Sequence, residues 1–206
     1  TLMVKHLQQN LSKMIKRFLL LLLLCGYYSF GQGSYIEAGV NNTSYTFSSD
    51  YSSDDFELDS STGIFLRVGL GEIIENLNYG FSYQQFNSLG NLYENTFEWK
   101  TNYVGGFVQY NLPLLDERLF INPAIELLTL FSGKQFSFGE VYKLGDEKEF
   151  TGAWVSPRFG VTFMAVESRS LSVGVGYNLS YSLNPTNSTE QSLTFMSHQL
   201  SIKLGL

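Results

Sequence analysis

The residues that could do chemistry in this chain are few. His198 is the single histidine after residue 31, since His6 lies far upstream. A Ser-His-acid hydrolase site would have to use it as general base. It also leaves too few nitrogen and sulfur ligands for zinc, because Cys25 is the only cysteine. A run of carboxylates, Asp50, Asp54, Asp55, Glu57 and Asp59, supplies oxygen ligands of the kind Ca²⁺ takes. It lacks the central glycine and terminal glutamate of an EF-hand loop, and reads first as a solvated acidic segment, with divalent bridging to lipid phosphates as the functional alternative. No metal ligand, cofactor site or catalytic group is assigned. The third group is a sparse set of charges, Glu37, Arg67, Glu126, Arg158 and Lys203, each on a stretch that otherwise carries Gly, Ser, Asn and Gln.

What must position these residues follows from the first thirty. Lys16-Arg17, the apolar run Phe18 to Leu24 and the small residues Ser29 and Gly31 have the layout of a secretory signal peptide. Met14 fits as its start, cleavage falls near Gly31, and the domain division is 1–31 and 32–206. Leu22-Leu23-Leu24-Cys25 offers a lipoprotein box as an alternative, with large Leu24 in a place normally held by a small residue. Beyond Gly31 stand nine basic and nineteen acidic residues, a net charge of −10. That balance disfavours nucleic acid as a partner.

The remaining chain alternates with a period of two. Leu171, Val173, Val175, Tyr177, Leu179 and Tyr181 share one face; Ser172, Gly174, Gly176, Asn178, Ser180 and Ser182 share the other. Eight such strands are expected, near 35–42, 62–70, 77–86, 101–112, 119–131, 152–166, 171–183 and 199–206. Short connections (71–76, 113–118, 167–170) alternate with long ones (43–61, 87–100, 132–151, 184–195). Strands of about ten residues, even in number and joined by turns on one side and long loops on the other, describe an all-β, eight-stranded antiparallel up-and-down transmembrane β-barrel. A soluble barrel would place Lys and Glu along most polar faces, and these faces hold about one charge each. No apolar stretch reaches the roughly 18 to 20 residues of a membrane helix.

On these residues, and on the ending Gln199-Leu200-Ser201-Ile202-Lys203-Leu204-Gly205-Leu206, the chain resembles the small outer-membrane β-barrels of the porin-like superfamily, the OmpX/OmpW/OmpA-barrel type. The ending looks like the signal read by barrel-insertion machinery, except that Leu206 replaces the usual aromatic. The resemblance implies residence in the outer membrane of a diderm bacterium, with lipid and lipopolysaccharide around the barrel. No peptidoglycan-binding domain is expected after the last strand.

The expected role is non-enzymatic. Glu37, Arg67, Glu126, Arg158 and Lys203 form a charge network that plugs the lumen, and four long loops serve structural or interaction roles. Asp50, Asp54, Asp55, Glu57, Asp59, Phe136, Phe138 and Tyr142 are the candidate loop surface; the residues around Phe136 could instead form a hairpin above the membrane. The alternatives are a narrow channel for ions or small hydrophobic solutes, an accessory subunit of an export or assembly complex, and a lipid-modifying enzyme using His198. Tyr79, Phe81, Tyr83, Tyr110, Trp154, Tyr177 and Tyr181 are read as an interfacial aromatic girdle. Trp99 and Trp154 are alternatively stacking surfaces for a sugar.

Overall fold

The computed structural model describes residues 33–49, 56–92, 95–144, 152–167, 171–184 and 191–205. Residues 1–32, with the expected leader and Cys25, lie outside the described residues, as do Asp50, Asp54 and Asp55. Ten strands follow in chain order: β1 (Tyr35–Ser49), β2 (Phe56–Ile74), β3 (Leu77–Leu92), β4 (Asn95–Tyr110), β5 (Leu112–Leu114), β6 (Leu119–Ser137), β7 (Glu140–Lys143), β8 (Ala153–Glu167), β9 (Ser172–Leu183) and β10 (Gln191–Gly205). Eight of them close antiparallel into a barrel, in the circular order β1, β2, β3, β4, β6, β8, β9, β10. β5 and β7 are short additions to β6.

The expected strand starts at the turn end hold closely. The expected loops do not, and this is a correction. β1 runs on to Ser49, β2 begins at Phe56, β3 reaches Leu92 and β4 starts at Asn95. The stretches read as long polar loops are therefore in large part paired strand. β6 continues to Ser137 and turns through Phe138 and Gly139, both at positive φ (52° and 77°), into β7. A two-residue turn with both φ positive matches the twist of the flanking strands. The Phe136 segment is thus the hairpin of the two readings. At the opposite end β2 and β3 are joined by two residues, of which Asn76 is left-handed (φ 64°).

The alternation is inverted relative to a water-soluble protein. Along β9, Gly174, Gly176, Asn178, Ser180 and Ser182 are buried while Val175, Tyr177, Leu179, Tyr181 and Leu183 are exposed. β8 repeats this with buried Ser156, Arg158, Gly160 and Thr162 against exposed Phe159, Val161 and Phe163. A continuous belt of exposed Ile, Leu, Val and Phe is stable only against a solvent as apolar as itself.

Register fixes the geometry. Stepping across partners from Ile36 through Val68, Phe81, Gly106, Leu127, Val155, Leu183 and Thr194 returns to β1 at Thr46, ten residues above the start. Eight strands with that stagger tilt by about 40°, so each residue rises roughly 2.5 Å along the barrel axis.

Closure at this diameter needs close backbone approach. A Cβ on Gly39 would collide with the carbonyl oxygen of Leu200, and one on Gly105 with that of Leu127. Gly39→Leu and Gly105→Leu are expected to abolish the heat-dependent shift in gel mobility that marks a closed barrel. Gly139→Asn, at a left-handed position with nothing within 4 Å, is expected to keep it.

Candidate functional site

The inward faces of the strands fill the lumen in two tiers of opposite chemistry. The lower tier, toward the turn end, is mainly polar, with Tyr35, Phe65 and Phe107 packed into it. Its centre is Glu126 on β6, fully buried. Its Oε1 accepts from Arg67 Nε at 2.6 Å and from Arg158 Nε at 3.0 Å, and its Oε2 accepts from Gln84 Nε2. The arginines come from β2 and β8, so the carboxylate joins three strands across the bore.

Each guanidinium is satisfied further. Arg67 Nη2 donates to Gln199 Oε1 (2.5 Å), and its Nη1 lies 3.4 Å from Glu37 Oε2. Arg158 donates to Asn178 Oδ1 and Gln109 Oε1, both at 2.8 Å. Glu37 accepts from Ser201 (2.7 Å) and Asn178 (3.0 Å). Below them Gln109, Asn111, Asn122, Asn78 and Thr162 continue the network to the backbone carbonyl of Gly33.

The structure therefore brings together four of the five charges singled out by strand parity. Lys203 differs: it is half-buried, with Nζ 3.8 Å from the centroid of the Tyr35 ring. It borders an open vestibule of about 270 Å³ at the turn end, lined also by Ser34, Glu72, Met164 and Leu171.

The upper tier is aromatic and was missed in the sequence. Tyr45, Phe86, Phe97, Trp99, Tyr103, Trp154 and Phe195 form one buried cluster with Leu128, Leu144 and Leu193. Phe195 is its hub, with ring centroids 4.3 Å from Phe86, 4.8 Å from Trp154 and 5.5 Å from Tyr45. Trp154, expected in the lipid-facing girdle, is fully buried inside, and Trp99 is buried in the same cluster against Tyr45 and Phe97, so neither offers a face for sugar stacking. The signal was present as a change of content at constant parity. On β10 the inward series runs Ser201, Gln199, Ser197 and then Phe195, Leu193; on β8 it runs Arg158, Ser156 and then Trp154.

Outside, the chemistry changes at the same height. On β1 the outward residues pass from Ile36, Ala38 and Val40 to Asn42 and Ser44, and on β2 from Leu66 and Ile64 to Thr62. His198 pairs with Asn42, Asn42 with Thr62, Gln85 with Asn102, and Asn102 with Ser132, giving an outward polar row along six strands. Two tyrosines from the apolar belt reach this row, Tyr83 Oη donating to Asn102 Oδ1 and Tyr177 Oη lying on His198 Nδ1, each at 2.6 Å. An aromatic body in apolar surroundings with its hydroxyl at a polar border is the arrangement of a membrane interface. Above the row β1, β2, β3, β4 and β6 continue for another six residues or so, about 15 Å. There the outer face is polar, with Glu98 and Lys100 paired at 3.1 Å, and the inner face is the aromatic cluster. This upper part is built like a water-soluble barrel.

The remaining candidates fall as follows. His198 faces outward with Tyr177 as partner, while Ser197 points inward and receives a hydrogen bond from Thr43; the two do not form a nucleophile–base pair. Glu57 lies on β2, and Asp59 is exposed near the top of it. Phe136 packs under Lys100 (5.2 Å), Phe138 is exposed in the turn, and Tyr142 on β7 donates to Glu140 at 2.8 Å. That bond and the carboxylate's charge raise the Tyr142 pKa. Among the described residues no cluster of His, Cys, Asp and Glu could hold a metal ion.

No protein-family model matches the chain, and no curated protein matches it in sequence. Solved structures do. Neisserial surface protein A aligns with a TM-score of 0.51 at 15% identity, over 85% of this chain and 98% of its own. OprG, an outer membrane protein of Pseudomonas aeruginosa, aligns at 0.47 and 10% identity, over 84% and 95%. The chain has the fold of the small eight-stranded outer-membrane barrels.

Glu126→Ala leaves two arginines in the bore without their shared acceptor, and loss of a buried ion-pair partner costs about 3–5 kcal/mol. Urea unfolding from lipid vesicles is expected to show a loss of that size. Glu98→Ala, which removes an exposed pair, is expected to cost less than about 1 kcal/mol.

Proposed function

We propose that this chain is a non-enzymatic, non-conducting outer-membrane barrel that holds a rigid, water-exposed crown above the outer leaflet for interaction with a partner. The observation that carries this reading is the double filling of the lumen. A small solute would have to part the Arg67–Glu126–Arg158 bridge in the membrane and then the Phe86–Phe195–Trp154 stack above it. Eight strands enclose an interior just wide enough for side chains, and here side chains occupy it at both heights.

The crown is suited to presentation because its shape rests on paired strands and a packed core. Phe138, Val141 and Tyr142 stand exposed on the β6–β7 hairpin, above the polar row. Exposed aromatic and aliphatic side chains on a rigid hairpin are the kind of anchor that protein interfaces use. A catalytic role finds less support, since the one histidine of this region is held by a tyrosine on the outer face.

The test is electrical. Purified barrel in planar bilayers is expected to give no stepwise conductance, and the same is expected of Lys203→Ala, which widens the vestibule and leaves the Arg67–Glu126–Arg158 bridge in place. Regular conductance steps from the unmodified protein, lost on substituting Arg67 or Arg158, would overturn the plugged reading in favour of a narrow channel.

A further inference from the structure

The outward polar row does not close around the barrel. Allowing for the ten-residue climb per circuit, the outward positions at the height of Asn42, Thr62, Gln85 and Asn102 on the remaining wall are Tyr181 and Leu183 on β9 and Met196 on β10. Phe131 stands one step higher on β6, just past the Thr129–Ala153 pair where β8 begins. All four are exposed: Phe131 at 72%, Tyr181 at 45%, Leu183 at 41% and Met196 at 39%. On β9 the apolar outward series thus reaches the height of the amide row, two to three residues, roughly 5–7 Å, above Val40 and Ile64, the last apolar outward residues of β1 and β2.

A rigid lean of the barrel does not level the two walls. At the turn end Ile74 on β2 and Val166 on β8 are both exposed (64% and 55%), and these strands stand on opposite sides of the circuit. Lowering the β8–β9 wall would push Val166 out of the membrane while covering Leu183. The apolar belt is therefore taller on one wall than on the other.

We infer that the patch formed by Phe131, Tyr181, Leu183 and Met196 is a lipid-binding surface, covered by acyl chains of the outer leaflet that stand higher at this wall than around the rest of the barrel. The inference rests on the membrane reading of the fold. The occupant follows from continuity along β9, where Val175, Tyr177, Leu179, Tyr181 and Leu183 run outward with no polar residue between; Met196 and Phe131 flank this run, above His198 on β10 and Thr129 on β6. A hydrophobic face longer than the local bilayer is met by local thickening where tilting is blocked.

The test places an environment-sensitive fluorophore on single cysteines at positions 131, 183, 62 and 102, in a background where Cys25 has been removed. The labelled barrels are reconstituted in dioleoylphosphatidylcholine vesicles, with or without a quencher on the acyl chains. Labels at 131 and 183 are expected to emit in the blue and to be quenched severalfold more than labels at 62 and 102. If all four report water equally, the inference falls, and the patch is left bare for a protein partner. Failure of the protein to enter vesicles at all, seen as loss of heat-dependent mobility and flotation, would instead overturn the membrane reading beneath it. As a second readout, a label at position 181 is expected to be quenched like those at 131 and 183, and to lose that quenching in the Phe131→Asp, Leu183→Asp barrel, which retains closure.

Discussion

A closed sheet gives every strand one inner and one outer face, and it keeps that assignment along the strand's whole length except at a bulge. The medium outside is not constant along the same strand. This mismatch between an unbroken period of two and a solvent that changes partway is the constraint on which the rest of this structure depends. The chain meets it by exchanging the chemistry of the two faces at one height. Below the row of Asn42, Thr62, Gln85 and Asn102, apolar residues point out and mainly polar ones in, with Tyr35, Phe65 and Phe107 as inward exceptions; above it, on the walls that carry the row, the relation reverses.

The inversion explains why the two tiers of the lumen differ. Inside the membrane segment the outer face is committed to Val, Leu, Ile and Phe for the lipid, so a filled bore must be built from the polar residues of the other face. Polar groups in a narrow interior are tolerable only when satisfied. Glu126 achieves this by taking two guanidinium Nε donors on one oxygen and an amide on the other. Above the membrane the outer face can be hydrated, which frees the inner face to bury rings. The Phe195 cluster then holds the upper strands together as an ordinary hydrophobic core, with no help from lipid.

How much of this was legible in the sequence follows from the same constraint. The membrane half was legible because its alternation is strict and its two faces differ sharply: Val175, Tyr177 and Leu179 against Gly176, Asn178 and Ser180. Glu37, Arg67, Glu126 and Arg158 could be placed in the lumen by counting parity from such runs. The upper half was not legible, because its outward residues are Ser, Asn and Thr, the residue types of loops. The runs Asn42-Thr43-Ser44 and Asn87-Ser88 read as the ends of strands, although Tyr45 and Phe86 beside them keep the inward parity. A bulge in β2 between Ser60 and Phe65 hides the phase further, shifting the inward position to Leu58. Trp154 was misplaced for a related reason. Lying near a strand end, it fits an interfacial girdle by position, and only its parity with Ser156 and Arg158 puts it inside.

The exchange of faces also bears on how the crown can act. Loops tethered to a barrel rim lose conformational entropy when they bind. Here the β6–β7 hairpin is ordered beforehand, since β6 is paired with β4 up to Ser137 and Trp99 donates to Gln135 at 2.8 Å beneath the turn. The side chains at its tip can therefore be held for recognition by the same aromatic core that seals the bore. In the function proposed above, sealing and presentation are two results of one packing arrangement. Any residue that opened a wide path through the Phe86–Phe195–Trp154 stack would also remove the support of the crown. A chain selected to conduct would have little reason to place its largest side chains there.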